Sequence, residues 1–339
     1  MNAYERVMAA LALKPSDRVP VVPEIIQHAL NVSGVTHSDY STNPAAMVKT
    51  IIAARERYGY DAVYVSSDNF IYAEAFGGKL LFPVDDAPQL VIHPLDAGLP
   101  ASLPPFNLSA GRMRVILEAT RLLRAYYGDL IFIKTNIDSA PFSALASLRG
   151  PQKLMTDLYD EPDTVRALLW QCTDAVIRYG LEAAKAGAHG LAFGDSVSGL
   201  LNREMYGEFA LPCAREAVRV LREQTGLPVF YHVCGNTNHI LDLMLGTGAD
   251  CLELDSLVDM KDALPLAKGK CALEGNIDTV NVLFNGSTQD VRRAADRLLA
   301  LFGRKGGFIL SSACEIPRNT PCENVLEITR AALEYPYPD

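Results

Sequence analysis

"PVFYHVCGNTNHILDLMLGTGADCLELD", residues 228–255, decides the fold. Its first run, 228–234, is apolar and aromatic and stops at Cys234-Gly235; a second apolar run, 249–255, follows a connection long enough for a helix. Two buried-type strands joined in this way form a βαβ unit, which belongs to a parallel sheet. The unit repeats in both directions. Further β-type runs are expected at 18–24, 61–67, 130–136, 189–195, 270–275 and 307–313. Helical periodicity fills stretches between them, as at 164–186, 203–224 and 288–302. Eight buried strands, each followed by a helix, predict an α/β fold of the (β/α)8 TIM barrel type rather than an open doubly wound sheet. The competing dinucleotide-binding arrangement also lacks a GxGxxG turn. The whole chain, 1–339, is read as one domain with a short N-terminal helix and an elaborated Pro- and Gly-rich loop near 76–109, long enough for a hairpin or a lid.

The bulk chemistry narrows the class. Of 339 residues, 49% are hydrophobic and 21% charged, which excludes disorder of the whole chain. The net charge of -9 comes without a long basic run, so neither a nucleic-acid groove nor an anionic membrane surface is indicated. "MNAYERVMAALALKPSDRVP" reads as an amphipathic helix, and no segment reaches the roughly 18 apolar residues of a membrane span, so the expected location is cytoplasmic. Seven cysteines at wide spacings, with no CxxC pair, argue against a disulfide framework.

In a (β/α)8 barrel the chemistry gathers at the C-terminal strand ends. There the chain places Asp68, Asn136, Asp138, Asp195, His232, Cys234, Glu253, Asp255, Glu274, Asn276 and Cys314. Side chains alternate along a strand, so His232 and Cys234 share a face. Tyr231 and Val233 suit the helix layer better, which turns the His and Cys toward the lumen. Zinc takes neutral imidazole and thiolates, and catalytic sites keep three protein ligands and an exchangeable position. His232, Cys234 and Cys314 supply such a set once the barrel brings their strands together; taken alone, a free cysteine usually behaves as a small buried hydrophobe. Cys172, Cys213, Cys251 and Cys271 are read in that way, and His28, His37, His93, His189 and His239 as structural. Asp68, in the polar loop "VSSDNF", and Asp195, in "FGDSVSG", are candidate catalytic acids or bases, with helix capping as the plainer role for Asp195.

Over nearly its whole length the chain resembles the uroporphyrinogen decarboxylase superfamily. The resemblance is carried by "KPSDRVPVVPE" (14–24), "YGYDAVYVSSD" (58–68), "SAPFSALASLRG" (139–150), "FGDSVSGLL" (193–201), "ALEGNID" (272–278) and "EIPRNTPCENVLEITRAALEY" (315–335). It implies the same barrel and offers two chemistries. Decarboxylases hold a porphyrinogen with an arginine-rich loop after the first strand, yet residues 19–54 contain no arginine and one lysine, Lys49. They also carry a histidine where this chain has Cys314, although Asp68 matches their essential aspartate. The H-x-C pattern with a later single cysteine is similar instead to the zinc-dependent corrinoid methyltransferases, such as methylcobamide:coenzyme M methyltransferases. That resemblance implies Zn²⁺ on His232, Cys234 and Cys314, with Glu253 as candidate fourth ligand, and methyl transfer between a corrinoid and a small thiol, folate or methylated substrate. None of the six histidines has Asp two positions before it, so no D-x-H-x-x-G signature is present and the corrinoid is expected on a separate protein. Two alternatives stand beside this expectation: a decarboxylase using Asp68 without metal, and a non-catalytic barrel that binds a corrinoid protein.

Overall fold

The βαβ pattern read at 228–255 holds along the chain in the computed structural model, which describes residues 1–109 and 111–337. The strands are β1 (Ala62–Val65), β2 (Lys79–Leu81), β3 (Gln89–Ile92), β4 (Phe132–Ser139), β5 (Gly190–Gly194), β6 (Val229–Val233), β7 (Cys251–Leu254), β8 (Ala272–Ile277) and β9 (Phe308–Ser312). Seven of them form one parallel sheet in the order β1-β4-β5-β6-β7-β8-β9, with helices packed outside it. Antiparallel β2 and β3 make the hairpin inside the long 76–109 segment.

The run 18–24, expected as a regular strand, is reduced to a single bridge between Val21 and Leu310. Pro20 and Pro23 lack the N–H groups that a ladder needs. The segment still closes the barrel. Val22 N–H donates to Leu310 O at 2.9 Å on one side, and Asp61 N–H donates to Val21 O at 2.8 Å on the other. Asp61, 1% exposed, fixes this stave by accepting hydrogen bonds from Arg6, Arg18 and the Val21 amide, at 2.7, 2.7 and 2.8 Å. The continuous helix expected over 203–224 is also broken: Arg203–Met205 and Leu211–Thr225 flank a π turn at Tyr206–Ala210. Pro212 cannot donate within the helix, and its ring forces the preceding turn to widen.

Strand alternation divides the apolar side chains into two cores. Outward residues such as Phe193, Tyr231, Val233 and Leu252 pack under the helices. Inward residues, including Val22, Ala62, Phe132, Phe230, Cys251, Ala272 and Ile309, fill the lower lumen together with Val7 and Ala10. Those last two come from the amphipathic helix Ala3–Leu11, capped by Asn2 and Glu5, which plugs the base.

A pH effect follows from the wall near the base. His189 is 6% exposed; Ile133 N–H donates to its Nδ1 at 3.0 Å, and its Nε2 lies 3.1 Å from Asp129. Burial, aided by Arg124, pulls its pKa down from 6.5 to about 4. The folded state thus binds fewer protons than the unfolded state between those values, and stability rises with pH. Urea unfolding should lose on the order of 3 kcal/mol from this site between pH 7 and pH 4. In His189→Asn, whose amide oxygen can still accept from Ile133, that part of the pH slope should vanish; an unchanged slope would dismiss His189 as its source.

Candidate metal centre

Each element at the mouth aims its residue for a local reason. β6 points Phe230 and His232 inward and Tyr231 and Val233 outward, as alternation requires. Cys234 follows on the lumen side, and Gly235, at φ 83°, turns the chain away while its N–H donates to Asp255 Oδ2 at 2.9 Å. The loop after β5 crosses tightly over this point: a Cβ on Gly199 would meet the Cys234 carbonyl oxygen at 2.9 Å, so glycine permits the crossing. Cys314 arrives from beyond β9, held by the Ala313 N–H donating to Ile277 O at 2.8 Å.

The three expected ligands meet. His232 Nε2 lies 2.9 Å from Cys234 Sγ, and Cys234 Sγ lies 3.7 Å from Cys314 Sγ. The sulfur separation is far beyond a disulfide bond, and is close to the ~3.8 Å expected for two thiolates on one tetrahedral zinc. Ser196 Oγ sits 3.2 Å from Cys234 Sγ. The imidazole is oriented from behind, where Nδ1 donates to Glu253 O at 3.2 Å. Burial disfavours the charged imidazole, but Cys314 and the Glu24 and Glu253 carboxylates outweigh it and push His232 up to about 10. The sulfurs split: hydrogen bonding to Cys314 holds Cys234 below its ordinary value, while the same contact and burial push Cys314 up. Two sulfurs and an imidazole at these separations form a donor set that a divalent cation would satisfy.

Among the described residues, the groups able to hold a metal are this trio and a second cluster, Glu24, His232 and Glu253, which shares the imidazole. Glu253 lies level with His232 and Glu274 across the sheet. Its carboxylate pairs with Lys134 Nζ at 2.5 Å, and the same ammonium reaches Glu274 at 2.8 Å. Lys134 is fully buried, above the Phe230 ring at 4.7 Å.

The trio opens onto a cavity of about 230 Å³ at the barrel mouth, also lined by Glu24, Tyr64, Asp68, Asn136, Asp138 and Glu315. Asp68 is therefore at the site, but its carboxylate is engaged by Arg112, Ser67 and the Phe70 amide. Asp195 does not line it. Its carboxylate accepts hydrogen bonds from Ser143 N–H and Oγ and from Tyr231 OH, at 3.0, 2.7 and 2.9 Å, behind the wall. Asp255 and Asn276 likewise serve loop structure, the latter donating to Asp255 O and Val258 O. Glu24, Lys134 and Arg112 were not singled out from the sequence. Glu24 ends the expected strand 18–24, and Lys134 shares parity with Asn136, so strand position carried a signal for both.

Known proteins fit this picture. A profile described as Uroporphyrinogen decarboxylase (URO-D) matches residues 2–335. The chain belongs to that family. Within it, the chain is 30% identical over 346 residues to the methylcobamide:CoM methyltransferase MtbA of Methanosarcina mazei, covering 98% of each chain. It is 26% identical over 326 residues to a uroporphyrinogen decarboxylase of Xanthomonas euvesicatoria, covering 91% of this chain and 90% of the other. A solved structure described as a methyltransferase from Methanosarcina mazei superposes with a TM-score of 0.90 at 25% identity, covering 99% of each chain. No helix among the described residues is long and apolar enough to cross a membrane.

Proposed function

We propose that this URO-D family member is a zinc-dependent methyltransferase that moves a methyl group between a corrinoid carried on a separate protein and a small organic reactant bound at the barrel mouth. The carrying observation is the convergence of His232, Cys234 and Cys314 on one cavity, with sulfurs 3.7 Å apart. Bound there, zinc would act as a Lewis acid that lowers the pKa of an incoming thiol. Glu253 O and the Lys134–Glu253 pair hold the imidazole with Nε2 toward the sulfurs. We assign the fourth position to Glu24 in preference to Glu253. Glu24 lines the cavity and acts electrostatically on all three other donors, whereas Glu253 is tied to Lys134 beneath it.

With a thiol as acceptor, the zinc held by His232, Cys234 and Cys314 would bind its sulfur, its proton would leave to solvent, and the methyl group would pass to sulfur from the carrier's corrinoid, which would keep the electron pair. The walls position the reactants and restrict water, which is where such a site gains its rate. A methylated donor would use the same arrangement in the opposite sense. The decarboxylase alternative draws support from Asp68 at the cavity, but its carboxylate is already neutralised by Arg112.

Incubation with methylcobalamin and small thiols tests the reading. Demethylation, followed by the visible spectrum, should occur with the zinc-loaded protein and fall by at least ~100-fold in Cys234→Ser. Metal-free protein that decarboxylates a porphyrinogen would overturn it. Bound zinc with no turnover of any thiol, folate or methylated substrate would instead leave a binding barrel.

A further inference from the structure

The two sulfurs of the trio are not equivalent. Ser196 Oγ lies 3.2 Å from Cys234 Sγ, whereas among the described residues no hydroxyl bonds Cys314 Sγ, whose neighbours are Cys234 and His232. With both groups protonated either could donate. Once Cys234 carries a metal, its sulfur has no proton left and can only accept, so the Ser196 hydroxyl donates to the thiolate.

The fold fixes that hydroxyl from both sides. Phe193 and Asp195 point outward from the end of β5, which leaves Gly194 and Ser196 on the cavity wall. Asp195 anchors the backbone before Ser196: its N–H donates to His232 O at 2.7 Å, its carboxylate holds Ser143 and Tyr231, and its carbonyl accepts from Ser198 N–H and Oγ at 2.9 and 2.7 Å. On the other side Val197 N–H donates to Ser143 Oγ at 3.1 Å. Ser196 itself is exposed, so replacing it disturbs no core packing. A thiolate donates to a metal through the same lone pairs for which a hydrogen bond competes. A donor on Cys234 therefore leaves a bound ion more electron-poor, and such an ion holds an incoming thiolate more tightly. The same pull makes that thiolate a weaker nucleophile.

We propose that Ser196 is a positioning residue that acts through Cys234: by donating to the thiolate it strengthens the metal's hold on the sulfur of the incoming reactant, at the expense of that sulfur's nucleophilicity. This rests on the methyltransferase reading above and adds to it the residue that tunes the exchangeable position.

Cobalt(II) in place of zinc makes the hydrogen bond visible through the sulfur-to-cobalt charge-transfer band of the cysteines. Ser196→Ala should keep its cobalt and move that band to lower energy, because the sulfur lone pair is no longer stabilised; Ser196→Thr, which keeps the hydroxyl, should leave it in place. Titrated with 2-mercaptoethanol, the Ser196→Ala protein should bind the thiol ~10-fold more weakly than the parent. With zinc and methylcobalamin, its KM for that thiol should rise by the same factor while kcat stays level or increases. An unmoved band in Ser196→Ala, or an equal shift in Ser196→Thr, overturns the proposal and leaves the metal site intact. A fall in kcat with unchanged thiol affinity also overturns it, since a distorted wall would give that result. Parent protein that binds cobalt without a sulfur band overturns the metal assignment, and one that shows the band but takes up no thiol overturns the thiol-activating reading; the proposal falls with either.

Discussion

Protein purified without added metal should carry about one zinc per chain, and Cys314→Ser should lose it. A serine hydroxyl is a poor zinc donor at neutral pH, so affinity measured by chelator competition should fall by at least ~100-fold, beyond the 10–100-fold typical when only a supporting residue is removed. Cys234→Ser should behave alike, because its sulfur faces both His232 Nε2 and Cys314 Sγ. Cys271→Ala supplies the control: that thiol is buried just before β8, and burial pushes its pKa up to about 11. Its variant should keep the metal. Retention of full zinc by Cys314→Ser would show that the trio is not the metal's seat.

Lys134→Met should cost the fold about 3–5 kcal/mol, the range for breaking a buried charge group by removing one partner. Lys134 neutralises carboxylates that touch it at 2.5 and 2.8 Å, and it lies 5.0 and 4.7 Å from the Tyr64 and Phe230 ring centroids. Methionine restores the stem but leaves Glu253 and Glu274 facing each other with no counter-charge. Combining Lys134→Met with Glu253→Gln and Glu274→Gln should return most of the loss, since no uncompensated charge then remains. Urea unfolding midpoints measure both effects. A single variant as stable as the parent would mean that the carboxylates are already neutral without the lysine.

How far the site was readable from sequence depended on applying alternation consistently. At 231–234 it placed Tyr231 and Val233 under the helices and His232 and Cys234 in the lumen, and the structure agrees. The same rule at 193–195 puts Asp195 on the side of Phe193, a residue of the outer core, and Asp195 does bond outward to Tyr231. Polarity at a strand end alone suggested a catalytic role that the geometry does not support. Cys314 became legible only through the barrel, because 80 residues separate it from Cys234. Lys134 and Arg112 stayed hidden for a different reason: a lone cation in a chain is ordinarily solvated, and only the surrounding carboxylates make these two buried. The closing stave reads as a regular strand from its apolar pattern, but Pro20 and Pro23 withhold the N–H groups a ladder needs and leave a single bridge.

The stoppered base has a kinetic meaning. Helix Ala3–Leu11 packs into the lower lumen, so among the described residues the base is closed and the mouth is the approach open to the proposed corrinoid carrier. The small reactant would then board first and disembark last. Steady-state kinetics should show a compulsory order, and a carrier supplied in excess would trap product behind it and slow the enzyme down.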